Sequence, residues 1–161
     1  MRDLSLHILD LAQNSVRANA ALVEIMVSVD ESRLITITIR DDGSGMSDEL
    51  KERVTSPFAT TRTTRKVGLG IPLMMQNARL AGGNVRIDST LGQGTTLTAT
   101  LHGDSIDCLP LGDLAGTVVS LVSANPERPD FRLSCSSPKG SMDFDTREMR
   151  QAVSYTHLRA H

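Results

Sequence analysis

Apolar residues recur along this chain with two different periods. Leu4, Ile8, Leu11 and Ser15, with Leu9, Ala12 and Val16 beside them, fall at helical spacing and predict an amphipathic helix over about residues 3–19. Two strands follow, over 22–29 and 33–40. The second, Leu34-Ile35-Thr36-Ile37-Thr38-Ile39-Arg40, alternates strictly and reads as half buried. A short helix over 48–54 and a hydroxyl-rich, basic loop lead into a helix over 71–81, which Gly82-Gly83 terminates. Strands over Val85–Ser89 and Thr95–Leu101 come next. Beyond Gly103 the pattern predicts a helix from Pro110 to Ser123 and two strands that pair, Phe131–Ser136 and Ser141–Phe144. A further helix is expected to begin over Thr146–Ala152. The whole is an α/β chain: a two-layer α/β sandwich with a mostly antiparallel sheet covered on one face, plus a small C-terminal α+β appendage.

Composition narrows the class. With 161 residues and 39% hydrophobic content there is room for one real core, and 2% aromatic content makes its packing aliphatic. A net charge of −2 argues against nucleic acid as a main partner. Met1-Arg2-Asp3 leads straight into the amphipathic helix, and no apolar run approaches membrane-spanning length. Cys108 and Cys135 lack metal-ligand spacing and need not pair, so the expected compartment is cytoplasmic.

Four pieces carry candidate chemistry. Asp41-Asp42-Gly43-Ser44-Gly45-Met46 leaves the end of the alternating strand. There a carboxylate can accept from an exocyclic amine, and glycines let backbone approach a flat ring; alone, an Asp-Gly pair is more often just a turn. Asp10, Asn14 and Arg17 project from one polar stripe of the first helix, where an acid, an amide oxygen and a cation in line suit water, a hard cation and a phosphate. On this helix alone, a solvated helix face is the favoured reading of them. The run Ser56 to Ile71 holds Arg62, Arg65 and Lys66 before Gly68-Leu69-Gly70, which opens a helix whose N-terminus favours anions. Gly92-Gln93-Gly94-Thr95-Thr96 reads as a hairpin turn.

In this order the four pieces resemble the ATP-binding domain of the GHKL (Bergerat-fold) family, shared by histidine kinases, type II topoisomerases, heat-shock chaperones and mismatch-repair ATPases. The resemblance spans about Met1 to His102, and is nearest to stand-alone histidine-kinase-like ATPase domain proteins of anaerobic bacteria. It implies ATP and Mg²⁺ as ligands, with Asn14 on the metal, Arg17 on a phosphate, and Asp41 accepting the adenine amine above Gly43, Gly45 and Met46. Phe58 matches the family's phenylalanine segment, and Lys66, Gly68, Leu69 and Gly70 would form the lid over the phosphates. Thr95 would help fix Asp41 and its water. Asp10 is the candidate catalytic residue, and a departure. Hydrolytic members have glutamate there and kinases often asparagine, so the shorter acid keeps the charge but loses reach.

Phosphoaccepting histidines of the kinases precede an acidic residue, whereas His7 precedes Ile8 and His102 precedes Gly103. Two functions of different class stay open: a protein kinase acting on a separate partner or phosphoacceptor in bacterial regulation, and an ATP-gated binding module or slow ATPase. A homodimer is compatible with either. The expected organisation is an ATP-binding domain over 1–103, a C-terminal segment over 104–152 that is truncated, and a tail over 153–161. That tail, Val153 to His161, reads as a sequencing-library adapter translated in frame, so its Tyr155, His157 and His161 carry no functional weight.

Overall fold

The computed structural model describes residues 3–55 and 70–148. The first helix, α1, runs Leu4–Arg17. It starts where Asp3 accepts a hydrogen bond from the Leu6 N–H, and it ends before Asn19, whose φ of 60° is left-handed. Strands β1 (Leu22–Val29) and β2 (Leu34–Asp41) follow, then α2 (Asp48–Thr55), α3 (Gly70–Leu80), β3 (Asn84–Thr90) and β4 (Gly94–His102). The C-terminal part contributes α4 (Leu114–Ala124), β5 (Asp130–Ser137) and β6 (Gly140–Asp145). Residues 146–148 are helical where the described chain ends. α4 begins later than the apolar pattern suggests. Gly112 takes a left-handed φ of 82°, and Asp113 next to it caps the helix by accepting from the Gly116 N–H at 2.9 Å.

All six strands form one sheet in the order β3-β4-β2-β1-β5-β6. Every pair is antiparallel except β1 with β5, which run parallel from Leu22↔Asp130 to Ser28↔Ser136. The C-terminal α+β segment therefore joins the sandwich: its strands extend the sheet, and α4 packs beside α1.

Strand alternation decides what is covered. Val23, Ile25 and Val27 of β1, Ile35, Ile37 and Ile39 of β2, Leu97, Ala99 and Leu101 of β4, and Phe131 and Leu133 of β5 are buried on the helix side. Against them lie Leu4, Ile8, Leu11 and Ala12 of α1, Ile71, Met74 and Ala78 of α3, and Val118 and Leu121 of α4. The opposite face is polar, with Thr36, Thr38, Thr96, Thr98 and Thr100 on neighbouring strands. Each fully buried Leu or Ile contributes about 1.5–3 kcal/mol. Packing of this one face therefore holds α1 far more firmly than the roughly 1 kcal/mol of its cap.

Candidate nucleotide-binding site

The strongest feature of the site follows from the period of β2. Ile35, Ile37 and Ile39 face the helices, and Asp41, next in the same row, brings a carboxylate to the end of that apolar face. Above it passes the apolar stripe of α1, where Ser15 occupies the position after Leu4, Ile8 and Leu11 and is 3% exposed. The Ser15 hydroxyl donates to Asp41 Oδ2 at 2.6 Å, and the Gly43 N–H donates to Oδ1 at 2.9 Å. Two short bonds fix the carboxylate while leaving it acceptor capacity toward the cavity beside it. The role of Ser15 is hidden in the sequence because the residue sits in an aliphatic stripe. A hydroxyl at a position of that stripe is the available signal.

The cavity measures about 250 Å³ and is lined by Asn14, Arg17, Asp41, Gly45, Met46 and Thr95 among the residues expected at the site. Leu11, Ile39, Leu50, Ile71 and Leu97 give it apolar walls, and Ser15, Ala18 and Ser44 also line it. Such an apolar slot with one fixed carboxylate at its end suits a flat ring bearing an amine.

The glycines serve the protein's own backbone. A Cβ on Gly43 would stand 2.7 Å from the Ala18 carbonyl oxygen, so the Asp42–Ser44 loop lies directly against the turn after α1. The Ser44 N–H donates to that same oxygen at 2.8 Å. Gly45 has a φ of +69°, and a Cβ there would meet the Thr90 oxygen at 2.2 Å; a Cβ on Gly94 would meet the Asp41 oxygen at 2.1 Å. The β3–β4 hairpin is thus interlocked with the Asp41 loop. Ser89 secures the join, its Oγ accepting from the Met46 N–H at 2.8 Å and pairing with Thr95 Oγ1 at 2.8 Å. Thr95 lines the cavity, while the donors to the Asp41 carboxylate among the described residues are the Ser15 hydroxyl and the Gly43 N–H.

Asp42 has a different role. Its Oδ1 accepts from the Ala21 and Leu22 N–H groups at 2.7 and 3.0 Å. These bonds, that of Leu22 first, hold its carboxyl below the usual carboxylate range, with the Arg128 charge adding to them.

On α1, the Arg17 Nη2 donates to Asn14 Oδ1 at 2.6 Å, while Asn14 Nδ2 is buried without a partner among the described residues. Asp10, half-buried, is not in the cavity lining; it lies against Gly70, the first residue of α3, where a Cβ would stand 3.3 Å from Asp10 Cβ. Among the described residues no three His, Cys, Asp or Glu side chains converge on one point. Among the described residues the site offers the Asn14 amide oxygen rather than a cage, a donor set that fits a magnesium ion delivered on phosphate oxygens and not one held by protein alone. Phe58, Lys66, Gly68 and Leu69 lie outside the described residues, as do Arg62, Arg65 and the chain after residue 148.

His7, one turn before Asp10, is 1% exposed. Asn77 Nδ2 of α3 donates to its Nε2 at 3.1 Å, and Nδ1 has no partner among the described residues. Burial pushes the imidazole pKa down, so the ring ties α1 to α3 as a neutral group.

Residues 2–105 match the family described as histidine kinase-, DNA gyrase B-, and HSP90-like ATPase. The chain belongs to this family. The expected GHKL-type α/β fold is therefore present, and the domain is an ATP-binding, kinase-like one. The chain is 34% identical over 86 residues to the histidine protein kinase SaeS of Staphylococcus aureus, covering 50% of this chain and 24% of that protein. It is 30% identical over 105 residues to the histidine protein kinase DivJ of Caulobacter vibrioides, covering 62% and 18% respectively. It thus spans a quarter or less of the length of these two relatives. The histidine kinase domain of a blue-light activated kinase from Erythrobacter litoralis EL346 superposes with a TM-score of 0.34 at 17% identity, over 50% of this chain and 32% of that one. No helix among the described residues is long and apolar enough to cross a membrane.

Proposed function

We propose that this protein binds ATP with Mg²⁺ and transfers the γ-phosphoryl group to a separate protein partner. The adenine amine donates to Asp41, which Ser15 and Gly43 hold in place. Asn14 would supply an oxygen to the metal, and Arg17, which now donates to Asn14, would donate to a phosphate. When bound, Mg²⁺ neutralises charge on the triphosphate oxygens. Asp10 stands one turn before Asn14, where it receives a proton from an attacking hydroxyl or water.

The observation that carries transfer to a partner is the position of the histidines. His7 is buried, with its Nε2 engaged by Asn77. Thr95 pairs with Asp41 and His102 with Leu34 on the same strand pair, so His102 lies about 23 Å down the strand at roughly 3.3 Å per residue. Neither described histidine reaches a nucleotide at Asp41, which supports an acceptor other than these two histidines: a separate partner, or water. A second reading, an ATP-gated binding module or slow ATPase, draws on Asp10, whose carboxylate is suited to water.

Incubation with ATP labelled at the γ-phosphate, alone and with the products of neighbouring genes, separates the two. Transfer predicts slow release of phosphate from the protein alone, no stable label on it, and label on a partner. Asp10→Asn then lowers transfer by about 10²–10⁴-fold. Label retained on this chain, or hydrolysis that no candidate partner alters, overturns the proposal.

A further inference from the structure

The turn from Ala18 to Leu22, between α1 and β1, is the floor on which the Asp42–Ser44 loop rests. The Ala18 oxygen accepts from the Ser44 N–H at 2.8 Å, and the Ala21 and Leu22 N–H groups donate to Asp42. The same turn is held from its other side by residues beyond the family match, which ends at residue 105. Arg128 Nη2 donates to the Asn19 oxygen at 3.0 Å, and its Nε donates to the Ala20 oxygen at 3.3 Å. The Asp130 N–H donates to the Ala21 oxygen at 2.9 Å, where β5 begins its parallel run along β1. Asn19 has a φ of 60°, so the chain leaves the helix there, and the Asn19 and Ala20 carbonyls, past the end of α1, accept from Arg128.

We propose that Arg128 is a positioning residue of the nucleotide site, fixing the Ala18–Leu22 turn so that the Asp42–Ser44 loop and Asp41 are set for the base. The physical case rests on which groups share the turn. One guanidinium satisfies two successive carbonyls; the next N–H along, that of Ala21, holds Asp42; and Asp42 is one residue from the carboxylate that faces the cavity. The Arg128 charge also lies near the Asp42 carboxylate, so removing it loosens both sides of the turn together. Arg128 does not line the cavity, and its effect on a ligand passes through the turn. Base recognition in this chain thus depends on the C-terminal segment as well as on the family-wide core.

The inference rests on the adenine reading of Asp41, and the test separates the two. Calorimetry with adenosine, ADP and inorganic pyrophosphate is run on the full chain as wild type, Arg128→Ala, Arg128→Lys and Arg132→Ala. Arg132 is the control: it lies four residues on, within β5, and its guanidinium pairs with Glu24 on the open sheet face at 3.2 Å. Expected is an equal loss for adenosine and ADP in Arg128→Ala, about three- to tenfold. Arg128→Lys, which keeps the charge and one donor, should recover part of it. Pyrophosphate binding in Arg128→Ala, and all binding in Arg132→Ala, should stay at wild-type strength. A purely structural clamp would instead lower the melting temperature and leave these ratios unchanged, overturning the proposal. If Arg128→Ala does not fold, Arg128→Lys decides: wild-type adenosine affinity in that variant refutes the positioning role. Failure of the wild type to bind adenosine sinks the adenine reading and this inference with it, whereas wild-type binding undiminished in Arg128→Ala sinks the inference alone.

Discussion

Replacing Asp41 by asparagine changes almost nothing in shape and everything in the sense of one hydrogen bond. In the wild type both carboxylate oxygens accept, one from Ser15 at 2.6 Å and one from the Gly43 N–H at 2.9 Å, and a free lone pair faces the cavity. The substituted amide would keep the Gly43 bond on its oxygen and place its NH₂ group toward Ser15 and the cavity, because the Ser15 hydroxyl can turn to accept. The fold is thus retained, but a donor now meets the adenine amine. A hydrogen bond to a charged group is worth about 1.5–3 kcal/mol, or roughly 10–100-fold in affinity. Asp41→Asn should weaken adenosine and ADP by that factor. Guanine presents a carbonyl oxygen where adenine presents the amine, so the wild type should prefer ADP to GDP and the variant should lose most of that preference. Calorimetry with both nucleotides, beside a thermal melt to establish that the variant folds, measures this directly. Equal ADP and GDP affinity in the wild type, or undiminished ADP binding in a folded Asp41→Asn, refutes the assignment.

Ser15→Ala removes the 2.6 Å donor to Asp41 without touching the cavity's apolar walls, and should weaken adenosine by about 1 kcal/mol, close to fivefold, in a calorimetric titration. Asn14→Ala should abolish the Mg²⁺ dependence of ADP affinity while adenosine binding survives; a magnesium titration that looks the same in both proteins counts against Asn14. His7 has a pKa lowered chiefly by burial, so the unfolded chain takes up the proton first and stability falls as pH drops below about 6.5. His7→Gln should flatten the part of that decline due to His7, and melting curves at about pH 7.5 and 5.5 that shift in parallel for both proteins would contradict it.

Where the sequence is legible, a single local signal suffices. The alternation in β2 locates the strand, its covered face and the carboxylate at its end, because all three follow from a period of two. The α1 stripe likewise sets Asp10, Asn14 and Arg17 on one side, and Arg17 does meet Asn14. Contacts between distant segments are another matter. Alternation says which way a residue points and not which strand lies next to it, so the parallel pairing of β5 with β1 could not be read off. Gly45 and Gly94 invite reading as approach points for a ligand or as a plain turn, yet each is pressed on backbone distant in sequence, at Thr90 and Asp41. A small hydroxyl such as Ser15 in an apolar stripe looks like ordinary packing until the carboxylate beneath it is seen. Phe58, Lys66, Gly68 and Leu69 fall outside the described residues, so their expected roles rest on resemblance alone.

The adjacent acids Asp41 and Asp42 show why a loss of binding must be read with care at this site. Strand geometry sends them to opposite duties. Asp41 follows Ile39 onto the covered face and points at the cavity, while Asp42, where the strand has ended, turns to the α1–β1 connection and accepts two backbone N–H groups. Removing the Asp42 carboxylate takes the acceptor from two backbone donors, a cost of about 1–3 kcal/mol for each left dry and unpaired, and it acts on stability before it acts on the ligand. Asp41 is the reverse case, since its internal partners Ser15 and Gly43 can be satisfied by an amide of the same shape. Lost nucleotide binding in an Asp42 variant is therefore evidence about the turn on which Arg128 also acts, and lost binding in Asp41→Asn is evidence about the base.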